Sequence, residues 1–97
     1  MPRTTIHLEA YDAPFSVTVE PWAAPVFDVQ PKERCEIVVE HPTVTPTVTC
    51  GVVNGEMYVT VYESGSTFKF VRGAVVDFEM PSHLAIPYLS GPAASEA

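Results

Sequence analysis

Two alternating apolar segments meet at Asn54-Gly55, and this junction constrains the fold more tightly than any other feature of the chain. Asn-Gly suits a type I′ turn because both central residues need positive φ, which these two residues tolerate best. With this pair as the loop, Val53 faces Glu56, Val52 faces Met57, Cys50 faces Val59 and Val48 faces Val61. One face of the ribbon is then wholly apolar: Val48, Cys50, Val52, Met57, Val59 and Val61. The other carries Thr49, Gly51, Tyr58 and Thr60. A slip of one residue would turn the apolar set into water, so the register is well specified.

The same reasoning extends along the chain. Asp12-Ala13 as a loop sets Ala10 against Phe15, Leu8 against Val17 and Ile6 against Val19. Ser64-Gly65 as a loop pairs Val61 with Phe68 and Val59 with Phe70. A loop at Arg72-Gly73-Ala74 pairs Phe70 with Val76 and Phe68 with Phe78, and sets Lys69 against Asp77 on the outside. No segment holds a 3.6-residue period, the strand formers Val, Thr, Tyr and Phe recur, and prolines fall mostly between the apolar runs. The expectation is an all-β, antiparallel fold, a small β-sandwich or flattened barrel of about eight strands made largely of consecutive hairpins. The strands fall at about 4–11, 14–21, 25–30, 34–41, 45–53, 56–63, 66–71 and 75–80, the last five as a meander. Residues 1–80 read as a single domain, and 81–97 as a proline-containing tail, partly docked and partly mobile.

Cys35 and Cys50 lie at equal distances from the break at Pro42-Thr43. A four-residue loop over 41–44 would bring them opposite one another at a non-hydrogen-bonded site, where side chains approach most closely. That geometry permits a cross-strand disulfide. With no sign of secretion, two reduced core cysteines are the favoured reading.

The chain is 97 residues long, with twelve acids against five bases and a net charge of −7. Such a surface repels phosphate and counts against nucleic acid and anionic membranes as partners. No apolar run is long enough for a membrane helix, and the N-terminus lacks the apolar segment of a signal peptide, so a cytoplasmic or virion-associated location is expected. His7, His41 and His83 are scattered, and no H-x-H, H-x-x-x-H or C-x-x-C spacing announces a metal. Cupins and cupredoxins are comparable in strand number, but their clustered metal ligands have no counterpart here. Ser64-Gly65-Ser66 lacks the frame of a nucleophile elbow and reads as a turn. Glu36 and Glu40 share a strand face about 13 Å apart, too far for a glycosidase pair. No catalytic residue, cofactor or metal is therefore expected.

Two features suit binding. The first is an outward face bearing Tyr58, Thr60, Tyr62, Thr47 and Lys69, with Glu36, Thr49 and Thr67 beside them. Tyrosine offers large contact area and a polar tip, and Tyr58 would also cover the gap left by Gly51. The second is the apolar tail segment with Leu84, Ile86, Tyr88 and Leu89, which either folds back over its own core or reaches a neighbour as an arm. Trp22 reads as a lid on the core. The sequence thus points to a non-enzymatic protein-interaction or assembly module, self-associating or virion-type, whose partner is a protein or a second copy. A small-ligand or carbohydrate-binding β-barrel is the alternative.

Overall fold

Alternation gives each strand one face to bury, and two sheets meet over those faces. In the computed structural model, which describes residues 1–22 and 25–86, the strands are β1 (Arg3–Glu9), β2 (Phe15–Glu20), β3 (Val26–Val29), β4 (Arg34–Glu40), β5 (Val48–Val53), β6 (Glu56–Val61), β7 (Thr67–Arg72) and β8 (Val75–Glu79). Sheet one has the order β1-β4-β7-β8, and sheet two β3-β2-β6-β5. The chain is all-β and forms a small open sandwich, not a closed barrel. Every strand lies where alternation places it.

Val17, Val19, Val29, Ile37, Val39, Val59 and Phe70 fill the space between the sheets and are almost inaccessible to solvent. Aromatic rings thicken the core on one side. Phe27 of β3 stacks on Phe70 of β7 at 4.3 Å, and Phe78 of β8 lies 5.7 Å from Phe27. The β3 edge of sheet two is thereby seated over the β7–β8 side of sheet one.

The Asn54-Gly55 hairpin forms in the expected register, from Val53↔Glu56 to Val48↔Val61. Both turn residues have positive φ, 51° and 78°, as the type I′ turn requires. Other pairings differ from the sequence expectation. β1 pairs with β4, not β2, so Leu8 meets Cys35 rather than Val17. β2 pairs antiparallel with β3 and parallel with β6. β6 and β7 lie in different sheets, so the turn at Ser64-Gly65 is a corner and not a hairpin, and the five-strand meander does not form. The β7–β8 hairpin closes at Arg72↔Val75, and an irregularity beside Phe70 brings Phe78 opposite it. Lys69 consequently faces Glu79 and not Asp77. The physical reason is common to all: a turn that leads into the opposite sheet keeps apolar residues inward as well as a hairpin does. Alternation specifies the face of a side chain and leaves the partner strand open.

The cysteines follow from the topology. β4 and β5 belong to different sheets, Cys35 is buried, Cys50 is exposed, and both are free. The reduced state agrees with the favoured reading, but Cys50 is not a core residue.

One end of the sandwich is laced shut. Nε2–H of the buried His41 donates to Ser64 O at 2.8 Å, while its Nδ1 accepts the N–H groups of Thr43 and Val44 at 3.1 Å each. Trp22 lies 4.9 Å from Phe68, and its Nε1–H donates to Leu84 O at 2.8 Å. Ile86 is buried, and its peptide group is held by Ser66 O and Gly65 N–H at 3.1 and 2.6 Å. Trp22 is therefore a lid, and the first residues of the tail cover the protein's own core.

Candidate functional site

Sheet two turns Ser16, Thr18, Tyr58, Thr60 and Thr49 outward, because β2 and β6 run parallel in matched register and β5 continues the sheet. Tyr58 is half-buried and donates its hydroxyl proton to Glu56 Oε1 at 2.9 Å. That hydrogen bond, with the negative charge of the same carboxylate, holds the Tyr58 pKa above the ordinary tyrosine value. The ring does not fill the space over Gly51: a Cβ built there meets no atom within 4 Å. Tyr62 follows β6, is 58% exposed, and shares a 3.0 Å hydrogen bond with Thr49 Oγ1. Thr60 stands between the tyrosines and opposite Thr49.

Thr47 lies just before β5, and its N–H donates to Glu63 Oε1 at 2.8 Å. That bond stabilises the carboxylate and lowers the Glu63 pKa. Lys69 does not join this face. It lies on β7, in sheet one, paired with Val38 and Glu79, and Glu36 and Thr67 are likewise in or beside that sheet. Of the tail candidates, Leu84 is half exposed and Ile86 is buried in its own domain. Tyr88 and Leu89 lie outside the described residues.

The feature missed by sequence reasoning is the far half of β5. Val48 packs against the core, but Cys50 and Val52 on the same face are exposed, and Val52 reaches 67%. Val53, on the opposite face, is 58% exposed. Thr4 Oγ1 donates to Pro46 O at 2.6 Å and ties β1 to the segment before β5. Farther along β1, Leu8 and Val52 line a groove of about 360 Å³ with Phe15 and Met57, and His7 and Glu9 border it. One signal was available in the sequence: residues 41–55 contain no Asp, Glu, Lys or Arg, although the chain as a whole carries a net charge of −7.

The opposite side is held by charge. Arg72 Nη1 donates to Asp28 O and to Glu33 Oε1, both at 2.8 Å, and Nη2 reaches Asp77 Oδ2 at 3.4 Å. Its guanidinium lies 5.1 Å from the Phe70 centroid. Partial burial is the largest single influence and disfavours the cation, but Glu33, Cys35 and Asp77 together outweigh it and hold the Arg72 pKa above its ordinary value. Burial also pushes the nearby Cys35 thiol up, so it is poorly suited to act as a nucleophile. Arg72 links two sheets and the β3–β4 turn.

Among the described residues, no group of three His, Cys, Asp or Glu side chains could hold a metal ion. Among those residues no helix is long and apolar enough to cross a membrane. No protein-family model matches this chain, and neither a curated protein nor a solved structure is significantly similar to it.

Proposed function

We propose that this protein is a non-enzymatic interaction module that assembles with protein through the β5–β6 hairpin of sheet two. The observation that carries this reading is the exposure of Val52 and Val53, one on each face of β5 beside the turn, with Tyr62 exposed at the far end of the same hairpin. Exposed valines are ordinary when scattered, whereas adjacent ones on an uncharged edge strand suit a contact surface. Covering a Val side chain is worth about 1.5–3 kcal/mol, so a partner that closes over this hairpin gains from a small area. Tyr58, Thr60 and Thr47 would supply hydrogen-bonding groups around it. A barrel interior able to hold a ligand is not available, because Phe27, Phe68, Phe70 and Ile37 occupy the space between the sheets. The groove beside Val52 has an apolar floor and lacks the converging polar groups on which carbohydrate recognition depends.

The test combines Val53→Lys with Tyr62→Ala and compares the pair with Val76→Lys, an exposed site on β8. All three positions are exposed, so folding is retained in each variant. Association, followed by chemical cross-linking and size, is lost with the hairpin variant and kept with Val76→Lys. Equal behaviour of the two variants would contradict the proposal.

A further inference from the structure

We infer that the partner at this hairpin is a second copy of the chain, joined edge to edge through β5 in antiparallel pairing about a dyad at Cys50. The inference rests on the reading of the hairpin as the contact surface and names what it contacts.

An edge strand carries unpaired N–H and C=O groups that template another strand, and proteins blunt such edges with charge, proline, bulges or brevity. β3 is four residues long, lies between Pro25 and Pro31, and has its Asp28 carbonyl occupied by Arg72. β8 is irregularly paired and carries Asp77 and Glu79. β1 carries Arg3, His7 and Glu9. β5 has none of these protections: its six residues, Val-Thr-Cys-Gly-Val-Val, are uncharged, contain no proline and pair regularly with β6.

The direction of its free backbone groups follows from the turn. A two-residue loop makes Val53↔Glu56 a hydrogen-bonded pair, and such pairs alternate along the ribbon. The Tyr62 N–H donating to Thr47 O at 3.4 Å fits that alternation. Thr49, Gly51 and Val53 therefore aim their peptide groups at β6, while Val48, Cys50 and Val52 aim theirs out of the sheet.

A dyad normal to the sheet keeps the inner faces of both copies on one side, so inner-face residues must oppose inner-face residues. Centring on Cys50 satisfies this and fits β5 to itself. Val48 meets the partner's Val52, Cys50 meets the partner's Cys50, and Thr49 meets the partner's Gly51. The space above Gly51, which Tyr58 leaves open, receives that threonine. Sheet two then continues through both copies.

Charge leaves this strand open to the same occupant. Two chains of −7 repel one another except where the surface is neutral, and the charge-free stretch 41–55 contains β5. A basic partner would find no carboxylate on this strand.

Sedimentation of the reduced full chain from low micromolar to submillimolar concentration tests the inference. A concentration-dependent dimer that Val52→Lys returns to monomer, with the melting temperature of dilute protein unchanged, is the expected result. The dyad is read by oxidation with diamide, which takes two electrons and two protons from a pair of thiols as they form a disulfide. A hydrogen-bonded pair places the two Cys50 Cα atoms about 5.5 Å apart, within disulfide reach. Cross-linking is therefore fast in the wild type and slow in Cys50→Ser/Val53→Cys, whose thiols lie six strand positions, about 20 Å, apart. Equal rates in the two proteins would overturn the dyad. A chain that stays monomeric, yet loses a different protein partner on Val52→Lys, would overturn the second-copy inference and leave the interaction reading intact. A dimer insensitive to Val52→Lys and to the hairpin variant would overturn both.

Discussion

The two sides of this sandwich are built differently. On the β3/β8 side, Phe27, Phe70 and Phe78 stack across the sheets and Arg72 ties both sheets together. On the β1/β5 side, a hydrogen bond from Thr4 to Pro46 joins β1 to the segment before β5, and an apolar groove lies farther along. The strands share the same alternation of apolar and polar residues. What separates them is side-chain size and charge: phenylalanines and an arginine reach across the gap, whereas Val, Cys and Gly do not. Stability is thus concentrated on one side, and an edge with the chemistry of an interface is left on the other.

The sharpest way to break this comparison is to truncate one apolar residue on each side. Phe70→Ala should cost about 3–5 kcal/mol, because it leaves a cavity beneath Phe27. Val52→Ala should change monomer stability by less than about 0.5 kcal/mol, since that side chain is already wet. Urea unfolding of dilute protein reads both values, and similar losses would mean that the two sides are equally packed.

A smaller effect, of opposite sign, comes from the laced end. Ser66 is fully buried, and its hydroxyl has no hydrogen-bond partner among the described residues. Its backbone already holds Ile86, so the hydroxyl adds only its desolvation cost. Ser66→Ala should stabilise the protein by about 1 kcal/mol. A loss of stability on thermal unfolding would show that the hydroxyl has a partner.

The smallest effect concerns the tether at the start of β5. The Thr47 N–H depresses the Glu63 pKa on folding. A carboxyl with a lower pKa in the folded state adds stability above its unfolded pKa and loses it as pH falls through the folded one. The gap in melting temperature between wild type and Glu63→Gln should therefore be full at neutral pH and close in acid. A gap independent of pH would mean that the tether does not depend on ionisation.

Strand positions and the central hairpin could be read from the sequence because both depend on local pattern: alternation selects the buried face, and Asn54-Gly55 fixes one register. Partner strands could not. Asp12-Ala13 and Ser64-Gly65 have the composition of hairpin turns, yet each carries the chain from one sheet to the other, and the alternating pattern is identical in either case. Alternation alone groups Lys69 with the tyrosines, whereas it belongs to the opposite sheet. Tyr58, Thr60 and Tyr62 share a face because they occupy one strand and its continuation, a local property. Exposure of Val52 depends on the groove that the two sheets leave beside it, a tertiary property that local pattern does not encode.

The most direct measurement is residue-resolved hydrogen exchange across β5 at two protein concentrations. The amides of Val48, Cys50 and Val52 should exchange rapidly in dilute protein and slow as concentration rises. Those of Thr49, Gly51 and Val53, bonded to β6, should be protected throughout. Protection of the first set that does not change with concentration would contradict it.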